Sequence, residues 1–161
     1  MKMSKTRLFV SKKLSANILI YIKNKQHHFL KNVLRIKKED SINLFDGFTG
    51  EWLSKVISIN RDNIVLQIQN KLRDIPKETD LWLIFAPIKS YRMNITIQKA
   101  TELGISRFIP ILTEYTNQSK INFQNFELNM IEASEQSERL SIPTLDKTIK
   151  LDDLVNNFPS D

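Results

Sequence analysis

The stretch IQKATELGI, residues 97–105, decides how the second half of the chain folds. It lies between two apolar runs, LWLIFAPI at 81–88 and SRFIPIL at 106–112. The pattern predicts a strand at 81–86, a helix near 90–103 and a strand at 107–112, with Gly104 ending the helix in a left-handed conformation. Because a helix near 123–139 and the segment SIPTL follow, this half predicts a parallel α/β sheet.

The two predicted helices carry apolar stripes at helical spacing, which should pack on the sheet. The stripes contain Met93, Ile97 and Ala100 in the first helix and Phe126, Met130, Ala133 and Ser137 in the second. A parallel sheet needs both faces covered and its edges paired. If the sheet of this half is incomplete, we expect an exposed apolar set: Leu81, Leu83, Ile84, Phe108, Ile109 and Ile111.

The first half predicts several short strands interrupted by one helix. The strand candidates are TRLFV at 6–10, NILIYI at 17–22, SINLFDG at 41–47, EWLSKVISI at 51–59 and IVLQIQ at 64–69, and the helix candidate is NKQHHFLKNVLRI at 24–36. This arrangement is typical of a small barrel. The polar segment 71–79 contains a proline and predicts a boundary, so we expect domains at 1–74 and 80–161.

Residue types exclude several kinds of site. The chain has no cysteine, which excludes disulfides, thiolate metal sites and cysteine nucleophiles. His27 and His28 are neighbours whose side chains point differently, so we expect no metal site. The loop APIKSYRMN at 86–94 contains no glycine, which excludes a glycine-rich phosphate loop before the helix.

Positive charge is concentrated in the first half of the chain. Residues 1–75 carry a net charge of +9 and residues 76–161 carry −3, which together give the net +6. This asymmetry predicts a polyanionic partner for the first half, and nucleic acid is the main candidate. A solvated lysine-rich face is the alternative. His28 and Arg35 are seven residues apart, so a continuous helix would place both on one face with Lys31 or Asn32 between them.

The second cluster of charged residues is EASEQSER at 132–139. Glu135 and Arg139 have the spacing of a helical ion pair, and a surface pair is the simplest interpretation. The carboxylates could serve as acid–base groups, but no nucleophile or second partner is indicated, so the catalytic residues stay unassigned. No apolar stretch reaches the roughly 18 residues of a membrane span, and no signal peptide is indicated, so we expect a cytoplasmic protein.

Five short motifs occur in order along the chain. They are RLFV at 7–10, HHFLKNVLR at 27–35, LFDG at 44–47, QKATELG at 98–104 and EASEQSERLSIP at 132–143. In their residues and their order these motifs resemble those of the RsmE family of 16S rRNA uridine-N3 methyltransferases, and they extend over nearly the whole length of the chain. The resemblance implies an α+β fold with an N-terminal PUA-like RNA-binding barrel and the first part of a SPOUT (trefoil-knot) methyltransferase domain. It also implies S-adenosylmethionine as methyl donor, 16S rRNA or the small ribosomal subunit as partner, and a homodimer when full length.

The charge pattern and the resemblance together suggest site residues. Expected RNA-binding residues are Arg7, His28, Lys31, Arg35, Lys89, Lys99 and Arg139, and further family-motif positions are Glu102, Gly104, Glu132 and Gln136. One departure is Glu114-Tyr115, where the family often has Glu-Arg, so an RNA-holding role of that arginine does not carry over.

A second departure concerns the family's glycine-rich knot and cofactor segments, which have no match before Asp161. We therefore expect no cofactor-binding residue among these 161, and no donor binding or methylation by the chain alone. The competing hypothesis is a non-catalytic RNA-binding protein that uses the basic barrel.

Overall fold

A computed structural model describes residues 4, 6–116 and 121–158 of the chain. The chain divides into two compact units, Met1–Pro76 and Lys77–Asp161, and each unit has its own apolar core. The α+β fold class is confirmed. No helix in the described ranges is long and apolar enough to cross a bilayer.

Unit 1 is built on a five-stranded sheet with the order β1-β3-β4-β5-β2. Its elements are β1 (Arg7–Phe9), β2 (Leu19–Ile22), α1 (Asn24–His28), a π-helical turn (Phe29–Val33), β3 (Ser41–Phe45), β4 (Glu51–Ile59) and β5 (Ile64–Arg73). β1 is parallel to β3, and the other pairs are antiparallel. The register shifts three times between β4 and β5, and such bulges bend a sheet toward a barrel.

Alternation along the strands of unit 1 produces its core. Ile42 and Leu44 of β3, and Ile64, Leu66 and Ile68 of β5, are fully buried, as period-two patterning requires. Leu30 joins this core from the π-helical turn and is also fully buried. The core therefore anchors the turn that carries Lys31 and leads to Arg35.

The helix expected at 24–36 is shorter than predicted. Regular α-helix ends at His28, and the Leu34 amide then donates to the Phe29 carbonyl at 3.0 Å, the i→i+5 bond of a π-helix. Arg35 follows with φ of 49°, a left-handed conformation outside the helix. The seven-residue spacing of His28 and Arg35 therefore does not place their side chains on one face of an α-helix.

Unit 2 is the predicted parallel α/β arrangement. Its elements are β6 (Trp82–Phe85), α2 (Ser90–Glu102), β7 (Arg107–Leu112), α3 (Phe123–Gln136), β8 (Thr144–Leu145), β9 (Ile149–Lys150) and α4 (Leu151–Asn156). β7 is central, pairing in parallel with β6, β8 and β9. The helices α2 and α3 pack together through a core that includes Met93, Ile97, Phe126 and Met130.

The expectation of an exposed apolar set in unit 2 is wrong for β7. Phe108, Ile109 and Ile111 are buried, because β7 has partner strands on both sides and the helices α2 and α3 cover Phe108. Leu81 and Ile84 are exposed as expected, and Leu83 is half-buried. Ser137 also departs from the predicted helical stripe, since α3 ends at Gln136 and Ser137 is exposed.

Candidate functional site

The basic surface of unit 1 is formed by α1, the π-helical turn and the β4–β5 turn. The Lys31 ammonium donates to the Asn60 carbonyl at 3.0 Å, and His27 Nε2 lies 3.3 Å from the same oxygen. These contacts join the helical segment to the β4–β5 turn. The structure therefore holds Lys31 at a fixed point on a surface where His28 is exposed.

Arg35 is exposed at the end of this surface. Its left-handed backbone directs it differently from a residue on a continuing α-helix, so the shared helical face proposed for His28 and Arg35 is wrong. Both residues still belong to one short segment, anchored by the buried Leu30. These two residues therefore do not form one ridge along a continuous α-helix.

Arg7 lies in a buried ion-pair cluster. Its side chain is only 10% exposed, and Nε donates to Glu51 Oε1 at 2.7 Å. Glu51 also accepts from Arg73 Nε at 2.6 Å and from Asn43 Nδ2 at 3.1 Å. Burial alone would raise the pKa of Glu51, but the hydrogen bonds from Arg73 and Arg7 outweigh it and lower that pKa. These contacts connect β1, β3, β4 and β5.

In unit 2, Lys89 and Lys99 lie near opposite ends of α2. Lys89 is the exposed N-cap residue, and its side chain makes no capping hydrogen bond. Lys99 Nζ donates to Glu102 Oε2 at 2.8 Å, and this bond lowers the pKa of Glu102. Gly104 has φ of 94°, which confirms its role in ending the helix.

Arg139 makes hydrogen bonds to several segments of unit 2. It lies three residues beyond the end of α3, so the helical spacing assumed for Glu135 and Arg139 does not hold. Its side chain is 7% exposed and donates to both oxygens of Glu78, at 3.2 and 2.6 Å. It also donates to the carbonyls of Thr101 and Ile105, at 3.1 and 2.6 Å.

This Arg139 cluster joins three distant segments around the end of α2. Ser141 adds hydrogen bonds, donating to Glu78 and accepting from Arg139 Nε. Burial opposes ionisation of Glu78, but the bonds from Arg139 and Ser141 outweigh it and lower its pKa. By contrast Glu132 and Gln136 lie exposed on α3. The structure therefore does not bring all expected residues of unit 2 into one site.

Two larger clefts open in unit 2. One, of about 600 Å³, is lined by residues of β7, of the segment between β8 and β9, and of α4. The other, of about 460 Å³, is lined by residues that include Glu114, Tyr115 and Lys150. Either volume would hold a nucleoside-sized group. None of their described lining residues has a buried polar side-chain atom without a partner, so these residues do not identify a donor pocket. No cluster of three metal-ligating side chains occurs among the described residues.

Sequence reasoning missed the acidic partners that organise both units. Glu51 is 44 residues from Arg7, and Glu78 is 61 residues from Arg139. No local pattern marks such pairs. The hydrogen-bonding role of Asp46 was also missed, although Asp-Gly is a recognisable turn pattern.

Comparison with known proteins gives a consistent result for both units. A model of the RNA methyltransferase PUA domain matches residues 22–69, and one of the RNA methyltransferase domain matches residues 76–161. Ribosomal RNA small subunit methyltransferase E of Rickettsia conorii is 33% identical over 152 residues, covering 94% of this chain and 62% of its own. The chain belongs to the RsmE family. Another RsmE relative, from Buchnera aphidicola (Schizaphis graminum), is 27% identical and covers 90% of this chain.

Solved structures show the same fold. Ribosomal RNA small subunit methyltransferase E of Neisseria gonorrhoeae, bound to S-adenosyl methionine, has a TM-score of 0.85 at 22% identity. A putative methyltransferase of Legionella pneumophila, in complex with its bound cofactor SAM, also has a TM-score of 0.85 at 22% identity. Each match covers 96% of this chain, and 66% and 67% of the respective structures. This RsmE chain spans about 62% of the length of the first two curated relatives.

Proposed function

We propose that this RsmE chain acts in S-adenosylmethionine-dependent methylation of a uridine N3 in 16S ribosomal RNA. The observation that carries the proposal is the adjacent pair of matches, a PUA domain at 22–69 and an RNA methyltransferase domain at 76–161. The curated relatives named ribosomal RNA small subunit methyltransferase E support the same substrate class. The proposed partner is 16S rRNA or the small ribosomal subunit, in the cytoplasm, with a homodimer as the working form.

The reaction requires N3 of uridine to lose its proton, since the neutral base has no free lone pair there for attack. When bound, S-adenosylmethionine would supply an electrophilic methyl group for transfer to this nitrogen. A positive environment favours the uridine anion, and alignment of the reacting atoms supplies much of the rate. The target base must be unpaired or splayed out. The described residues identify neither the group that accepts the N3 proton nor the donor pocket, so no step is assigned to them.

In this proposal five basic side chains contact RNA. Three of them, His28, Lys31 and Arg35, come from one short segment of unit 1, and the other two, Lys89 and Lys99, belong to unit 2. Arg7 and Arg139 have a different role, because each is at least nine-tenths buried and donates to a carboxylate of its own unit. We assign them to stabilising the fold of their own units rather than to contacting phosphate.

Loss of the gene that encodes this chain is expected to abolish 3-methyluridine at one site of 16S rRNA. The measurement is mass spectrometry of nucleosides and fragments from purified rRNA, before and after complementation with the gene. Restoration by complementation is the control. Persistence of the modification in the disrupted strain would exclude the methyltransferase proposal. The alternative, a non-catalytic RNA-binding protein, would then have to be tested by binding alone.

RNA affinity of the chain is expected to fall steeply with salt, because phosphate binding releases counterions. The log–log slope should be about −0.7 per contacted phosphate for a single strand. Arg35→Ala should reduce the magnitude of this slope by about 0.7, the contribution of one contacted phosphate. Lys55→Ala is the matched control, since Lys55 already forms an ion pair with Glu39 in the same unit. Equal slopes for wild type and Arg35→Ala in fluorescence anisotropy titrations would remove Arg35 from the RNA-binding surface.

A further inference from the structure

The turn between β3 and β4, residues 46–50, exposes a large aromatic ring. Phe48 is 80% exposed at this turn, although an apolar side chain of that size is usually buried. A single exposed ring carries little information by itself. Two further observations concern the turn beneath Phe48 and the charge beside it.

Asp46 makes the turn rigid. Its residue is fully buried, and its carboxylate accepts from the amides of Phe48 and Thr49 at 2.9 and 2.7 Å and from the Thr49 hydroxyl at 2.6 Å. Burial opposes its ionisation, but these hydrogen bonds lower its pKa overall. The Trp52 indole donates to the same Thr49 hydroxyl at 3.0 Å. The backbone that presents Phe48 is thus held from both sides.

Two glycines let this turn lie tightly against unit 1. Gly47 and Gly50 have φ of 80° and 108°, conformations that other residues rarely adopt. A Cβ on Gly50 would lie 2.3 Å from the Arg73 carbonyl, so only glycine fits there. The turn is therefore fixed to the end of β5. Phe48 is consequently presented on a rigid support.

Positive charge lies beside the turn. Asp46 also accepts from the Leu14 amide at 2.8 Å, which brings the segment carrying Lys12 and Lys13 next to residues 46–50. Both lysines are exposed. An exposed aromatic ring with adjacent lysines is the arrangement that binds single-stranded nucleic acid, where bases stack on the ring and phosphates meet the cations.

We propose that Phe48 is a stacking platform for an unpaired base of the bound RNA, with Lys12 and Lys13 contacting the flanking phosphates. This inference rests on the proposed RNA-binding function and adds a binding site separate from the surface of His28, Lys31 and Arg35. Stacking on one ring is sequence-tolerant, because every base has a π face. The platform therefore contributes affinity for single strands and little base specificity.

The test measures binding of the full chain to a fluorescent single-stranded RNA 20-mer of mixed sequence. Phe48→Ala is expected to lower affinity by roughly 5- to 150-fold with an unchanged salt slope. Phe48→Trp should retain affinity, and Phe48→Leu, which keeps an apolar side chain without a π face, should lose most of it. Because the ring is exposed, the melting temperature of each variant should match wild type, and this is the folding control.

The lysines provide an independent measurement. Replacing Lys12 and Lys13 together with alanine should reduce the magnitude of the salt slope by about 0.7 for each phosphate that these lysines bind. The same RNA in a blunt duplex should bind wild type and Phe48→Ala equally, since its bases are already stacked. The stacking proposal alone would be overturned if Phe48→Ala bound the single strand as tightly as wild type does. It would also be overturned if Phe48→Leu and wild type bound the single strand equally. No RNA binding by wild type would overturn both this inference and the RNA-binding proposal.

Discussion

Arg139→Ala is expected to destabilise unit 2 by about 3 kcal/mol, within the range for breaking a buried ion pair. The lower end of that range applies because Glu78 keeps partial access to water, with its side chain 25% exposed. The substitution removes the donors to Glu78 and to the Thr101 and Ile105 carbonyls together. The segment before β6, the end of α2 and the segment after α3 would lose their common link.

The measurement is urea unfolding followed by tryptophan fluorescence. Each unit has one tryptophan, Trp52 in unit 1 and Trp82 in unit 2, so a Trp52→Phe background reports on unit 2. Arg139→Lys should also lower the unfolding midpoint, because an ammonium group cannot reproduce the planar guanidinium contacts. Lys99→Ala removes a cation from an exposed ion pair of the same unit and should change the midpoint little. Equal midpoints for Arg139→Ala and Lys99→Ala would contradict the structural role.

The periodic features of the sequence were sufficient to predict the general architecture. Met93 and Ile97 recur at helical spacing and are buried in α2, and the apolar run at 107–112 became the central strand β7. The position of Gly104 could be predicted because helices commonly end in a left-handed backbone conformation, which glycine adopts without strain. Helix spacing, strand runs and helix-ending glycines depend on residues close together in the chain, so elements of this kind can be predicted from one sequence.

The packing of charged groups could not be predicted in the same way. Arg7 and Arg139 occur in motifs, and motif membership suggested RNA contact, but burial and partners depend on residues far away in the chain. The π-helical turn is another example, because the buried Leu30 and the i→i+5 bond are tertiary features that no spacing rule shows. A role in RNA binding remains a prediction for five basic residues: His28, Lys31, Arg35, Lys89 and Lys99.

Glu51→Ala is expected to destabilise unit 1 by about 3–5 kcal/mol, the cost of removing one partner from a buried ion pair. The Glu51 side chain is 5% exposed and accepts hydrogen bonds from Arg7, Arg73 and Asn43. Its removal leaves the buried Arg7 guanidinium without this carboxylate. The unfolding free energy from urea titrations, followed through Trp52 in a Trp82→Phe background, gives the magnitude. A loss of stability no larger than that of Glu39→Gln would contradict the prediction.

Acid unfolding provides the second measurement on Glu51. Because hydrogen bonds lower the folded-state pKa of Glu51 below 4.5, its stabilising contribution is complete above that pH and is lost as the pH falls through the folded pKa. Glu51→Gln removes this titration, so its unfolding free energy should fall less steeply than that of wild type below about pH 4.5. Glu39→Gln is the control: Lys55 lowers the pKa of Glu39 at the exposed surface, where solvent screens the interaction. Identical slopes for wild type and Glu51→Gln would show that the Arg7–Glu51–Arg73 cluster does not govern the acid stability of unit 1.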